Sequence, residues 1–135
     1  MVTQEVSPTV LVADDDPAFS KRVHQLIEHE FQVVDTVGDG LALLAAARQH
    51  QTDLYLLDIS MPRLNGFQAA RQLKKEQPDA RILFLTVHED PAAVAEALAI
   101  GVSGYVLKRS AAADLIPALK QVFHGGRFVS AAVHE

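Results

Sequence analysis

The chain alternates short, unbroken apolar runs with longer stretches in which apolar residues return every three or four positions. The runs lie at residues 10–13, 31–37 (centred on Val33 and Val34), 54–57, 81–86 and 104–108. An apolar run without polar alternation predicts a strand buried on both faces, as in a parallel sheet. The stretches between read as helices, each with one apolar stripe: Phe19, Val23, Leu26 and Ile27; Leu41, Leu44 and Ala45; Ala69, Ala70 and Leu73; Leu115, Ala118, Leu119 and Val122. Asp16-Pro17 and Asp90-Pro91 are helix starts, because the carboxylate caps free N–H groups and proline suits the first helical position. Gly38-Asp39-Gly40 and Asn65-Gly66 open the second and third helices, and Gln77-Pro78-Asp79 closes the third. Gly101 suits a left-handed cap, Ser110 an N-cap for the last helix, and Gly125-Gly126 its end. Pro117 sits inside that helix and removes a bond to Ala113, so a local kink or a frayed first turn is expected. Five β–α units in succession predict a three-layer α/β sandwich around a parallel sheet, with right-handed connections. Residues 1–8 read as a loose tail, 9–125 as the domain, and 126–135 as a linker or the start of a connection to a further domain.

Composition narrows the field. With 135 residues, 49% hydrophobic and 21% charged, the chain has the make-up of one soluble globular domain. A net charge of −5 and scattered lysines and arginines argue against direct nucleic-acid binding. No cysteine is present, which excludes disulfides and thiolate metal sites. No apolar run approaches a membrane span, and the first residues have neither the basic start nor the apolar core of a secretory signal. A cytoplasmic location away from the membrane is expected.

The strand ends supply the chemistry. Asp14 and Asp15 follow the first strand, Asp58 the third, Thr86 ends the fourth and Lys108 the fifth. An aspartate after a strand is equally able to serve as a turn residue bonding its own backbone. Its polar company favours a site, since ligands of open α/β sheets bind outside the carboxyl ends of the strands. Three carboxylates converging there repel one another unless a cation joins them, and oxygen ligands suit Mg²⁺. A hydroxyl and an ammonium opposite the metal suit the remaining oxygens of a phosphoryl group.

The segments VLVADDDP, DLYLLDISMPRLNG, LTVHED and GVSGYVLKRS together resemble the signature segments of the response-regulator receiver domain of two-component signalling. The resemblance runs from about residue 10 to 126. It implies a flavodoxin-like (βα)5 three-layer sandwich with a five-stranded parallel sheet in the order 2-1-3-4-5. Residues 85–130, with GYVLKRSA and GGRFVS, resemble the subfamily whose receiver precedes a helix-turn-helix DNA-binding domain; such a domain would lie beyond Glu135 and act in transcription.

The resemblance implies that Asp58 accepts a phosphoryl group from a sensor histidine kinase. Asp15, Asp58 and the backbone carbonyl of Ser60 then bind Mg²⁺ directly, and Asp14 acts mainly through water. Lys108 contacts the phosphoryl oxygens, Thr86 bonds the phosphoryl group once formed, and Tyr105 is a rotating switch residue; a half-buried strand aromatic is its ordinary reading. Ser60 and His88 flank the site at variable positions, and the histidines, His88 included, read as solvated surface. The fourth helix, fifth strand and last helix form the expected readout face and the surface of a receiver homodimer. The chain is not a turnover enzyme on this reading: an aspartyl phosphatase would need a carboxylate where Ser60 stands. A nucleotide or flavin carrier would need a Gly-rich loop where Asp14-Asp15-Asp16-Pro17 stands. A receiver that signals by binding alone, without phosphorylation, is the alternative.

Overall fold

The computed structural model describes residues 7–131 and Val133; most of the expected N-terminal tail, residues 1–6, lies outside them. The strands are β1 (Thr9–Ala13), β2 (Gln32–Val37), β3 (Leu54–Leu57), β4 (Ile82–Thr86), β5 (Gly104–Leu107) and β6 (Phe128–Val129). The helices are α1 (Pro17–Ile27), α2 (Gly40–Gln49), α3 (Gly66–Glu76), α4 (Pro91–Ile100) and α5 (Ala111–Phe123). All strand pairs are parallel and the order is β2-β1-β3-β4-β5-β6.

The sheet divides the core into two layers by simple alternation. Leu11, Tyr55, Leu57, Ile82, Phe84 and Tyr105 face α2, α3 and α4, while Val10, Leu54, Leu56, Leu83, Leu85 and Val106 face α1 and α5. That is why these strands read as unbroken apolar runs: both faces are covered. The fold is the flavodoxin-like α/β sandwich expected, with one correction: the sheet has six strands, not five. β6 comes from residues assigned to a linker. Two residues following Gly125-Gly126 carry no periodicity, yet the unpaired edge of β5 accepts them, with Phe128 N–H on Ser103 O and Ser130 N–H on Tyr105 O.

Capping follows the sequence at four helices. Asp16, Asp39, Asn65 and Asp90 each accept backbone N–H groups of the first turn, and Asn65 forms a reciprocal capping box with Gln68. Ser110 does not act as expected: a 3₁₀ turn, Lys108–Ser110, leads directly into α5 and the serine makes no cap bond. Pro117 leaves α5 unbroken from Ala111 to Phe123. The carbonyl that loses its partner belongs to exposed Ala113, where solvent can reach it.

Candidate functional site

The sheet order reverses direction between β1 and β3, and the acidic residues emerge at that switch point. Both loops are tied down by continued strand pairing: Asp14 N–H donates to Val37 O and Asp58 N–H to Ala13 O. Each carboxylate then has one oxygen satisfied locally. Asp14 Oδ1 accepts Asp16 N–H at 2.9 Å, and Asp58 Oδ1 accepts Ile59 N–H at 2.7 Å. The opposite oxygens share the Lys108 ammonium, which lies 2.8 Å from Asp14 Oδ2 and 3.1 Å from Asp58 Oδ2. Asp14 and Asp58 are buried, whereas Asp15 is exposed at the mouth. Oxygens of Asp14, Asp15 and Asp58 all lie within 4.8 Å of one another.

Burial sets the electrostatics. It holds the Asp14 carboxyl above the ordinary aspartate range, against the opposing pull of its Lys108 and Asp16 bonds. Burial also weakens the charged form of Lys108, but the two facing carboxylates outweigh it and raise the ammonium above the ordinary lysine value. The ammonium also sits 4.5 Å from the centre of the Phe19 ring, on the first turn of α1.

The floor of the acceptor loop is Gly66. A methyl group there would lie 2.2 Å from Asp58 O and 2.7 Å from Ile59 Cα, and Gly66 N–H donates to Ile59 O at 2.7 Å. Only glycine lets α3 start this close beneath Asp58.

Thr86 is fully buried at the end of β4, its hydroxyl accepting His88 N–H at 3.3 Å. Tyr105 is fully buried too, rather than half-buried, and donates its hydroxyl to His88 O at 2.8 Å. Burial, then the Asp90 and Asp58 carboxylates, push its phenol up to about 12. His88 is half-buried, and its Nε2 lies 2.8 Å from Ser60 Oγ across the mouth. Reading it as a solvated surface histidine missed this. One residue thereby touches Ser60 by its ring, Thr86 by its N–H and Tyr105 by its carbonyl, and no pattern in the sequence signals a backbone role.

The site thus gathers Asp14, Asp15, Asp58 and Lys108 directly, with Thr86, Ser60 and Tyr105 joined to one another through His88. Residues 10–120 match the model of the response regulator receiver domain family. The transcriptional regulatory protein DegU of Brevibacillus brevis is 36% identical over 122 residues, 89% of this chain and 52% of that protein. The chain spans about half the length of the curated relatives it matches. A LuxR-family two-component response regulator from Aurantimonas superposes with a TM-score of 0.91 at 28% identity, covering 95% of this chain and 93% of that one. The isolated receiver domain of RcsB from Salmonella enterica serovar Typhimurium, solved with the phosphomimetic BeF3−, gives 0.88 at 27% identity, covering 95% and 96%.

Proposed function

This chain belongs to the response regulator receiver domain family, and from that membership we propose that it is a switch thrown by phosphorylation of Asp58. The reading rests on the shared ammonium: one lysine holds two buried carboxylates that would otherwise repel, and its bond to Asp58 Oδ2 puts a positive charge beside the proposed acceptor. In the transfer, an Asp58 carboxylate oxygen attacks phosphorus, the P–N bond to the kinase imidazole breaks, and the imidazole leaves with that electron pair. The product is an acyl phosphate, and Lys108 meets the charge building on its oxygens.

The donor set suits a hard divalent cation, since every side-chain ligand is a carboxylate and exposed Asp15 leaves the mouth open. Asp15, Asp58 and the Ser60 backbone carbonyl would hold Mg²⁺ directly, with Asp14 acting through water. Bound there, Mg²⁺ supplies the charge compensation that lets a carboxylate approach a phosphoryl group.

Thr86 then turns its hydroxyl from His88 N–H to the phosphoryl group. Because Tyr105 is already inward and bonded to the same residue, phosphorylation shifts the population of this inward state rather than opening a new position. The expected consequence is a changed α4–β5–α5 face, a homodimer through it, and control of transcription by a DNA-binding domain joined to the receiver. A sensor histidine kinase is the donor.

Incubation with acetyl phosphate and Mg²⁺, followed by intact mass, tests the core of this reading. One phosphoryl adduct on the wild type and none on Asp58→Asn is expected. An adduct that persists in the variant overturns Asp58 as the acceptor, and no adduct on the wild type overturns the reading in favour of a receiver that signals by binding alone.

A further inference from the structure

Among the described residues the Lys108 ammonium faces two carboxylates and one aromatic ring. The ring is that of Phe19, its centre 4.5 Å from the ammonium and well inside the range for a cation–π interaction. The sequence places Phe19 in the apolar stripe of α1, and the ring is indeed half-buried against that core layer. Its position is nonetheless set by the site. Asp14 Oδ1 holds Asp16 N–H, and Asp16 Oδ1 in turn accepts the N–H groups of Ala18 and Phe19. A carboxylate that binds Lys108 thereby anchors the cap that aims the ring at Lys108.

We propose that Phe19 is a positioning residue that confines the Lys108 ammonium over Asp58; its effect on phosphorylation rests on the function proposed above. A lysine side chain is long and mobile, and its ammonium is strongly hydrated. With two N–H groups given to Asp14 and Asp58, the ring covers the remaining side and keeps water from drawing the charge outward. The negative face of the ring also favours the ammonium as a cation. Confinement matters because electrostatic stabilisation is effective only when the charge is already in place as the phosphoryl group arrives.

Phe19→Leu keeps the apolar bulk and removes the ring face; Phe19→Tyr keeps both. The first readout is the rate of phosphorylation by acetyl phosphate, a donor too small to involve a kinase surface. Phe19→Leu should slow it about tenfold, the range of one cation–π contact, and Phe19→Tyr should restore most of the loss. Mg²⁺ affinity should stay unchanged in both variants. The second readout needs no phosphorylation: the Lys108 ammonium ¹⁵N signal and its proton exchange with water. Slow exchange in the wild type and in Phe19→Tyr, with fast exchange in Phe19→Leu, supports confinement even if the wild type takes up no phosphoryl group, an outcome that sinks only the proposed function. Identical exchange in all three proteins overturns the positioning role, as does equal slowing by leucine and tyrosine.

Discussion

At Lys108, desolvation works against a charge that two neighbours require. Replacing it with alanine leaves Asp14 and Asp58 facing each other across a buried gap. Lys108→Ala should cost about 1–2 kcal/mol in a urea titration at pH 7, below the ~3–5 kcal/mol of a fully buried broken pair because the mouth is open to water. The sign with pH follows from protonation. The Lys108 value is raised in the folded protein, so its contribution is complete below the unfolded lysine value and is lost as pH rises through the folded one. Asp14 has the same sign in a lower pH window. Its folded value is raised by burial, so the folded protein holds its proton more tightly, and stability falls as pH climbs through the carboxylate range. Asp14→Asn should therefore raise the thermal midpoint of the metal-free protein at pH 7. The gain should shrink towards zero near pH 3, and thermal melts at the two pH values check it. These residues were legible in the sequence because each ends an apolar run. Phe19 and His88 were not, because a stripe position and a loop histidine have ordinary explanations that the sequence alone cannot overrule.

Elements carry the site only where their packing is tight. The start of α3 presses on the acceptor loop through Gly66, where a single methyl group collides with main-chain atoms that have no rotamer to escape into. Gly66→Ala should lose about 2 kcal/mol or more and slow Asp58 phosphorylation together, since the same displacement causes both; denaturation and rate measurements on one preparation check this. Elsewhere the helices are joined at the surface. Arg48 of α2 makes a two-point contact with Glu76 of α3, at 2.8 and 2.9 Å. The guanidinium, with Gln72, holds the Glu76 carboxyl down at about 2. Its contribution is thus present above the unfolded glutamate value and lost as pH falls towards 2. Glu76→Gln should lower the thermal midpoint at pH 6, with the difference closing near pH 2. The five helices and five longer strands could be read from the chain because proline, asparagine, aspartate and glycine punctuate them. The Lys108–Ser110 turn could not, because Ser110 looks like any capping serine until the strand before it proves one residue shorter than expected.

Across the whole molecule, the sheet is lopsided. β5, which carries Tyr105 and delivers Lys108, has β4 on one side and on the other only the two residues of β6. That short strand is pinned by its end. Buried Ser130 donates its hydroxyl to Asp114 on α5 and accepts Leu107 N–H, and Val133 is buried in the layer that contains Tyr105 and α4. Ending the chain at Gly126 should cost about 1–3 kcal/mol in a denaturant titration, from lost apolar burial and an orphaned N–H. It should also raise self-association by light scattering, because a bare strand edge invites another. The same segment occupies part of the face on which a homodimer is expected, so a second copy must either pack over this ribbon or push it aside. If it yields, the cheapest motion in the domain is peeling two residues from the rim, a zipper with very few teeth. The Phe128 and Ser130 amides would then exchange with deuterium well before those of β4, and a phosphoryl mimic that reaches Tyr105 through Thr86 and His88 would change that exchange at β6.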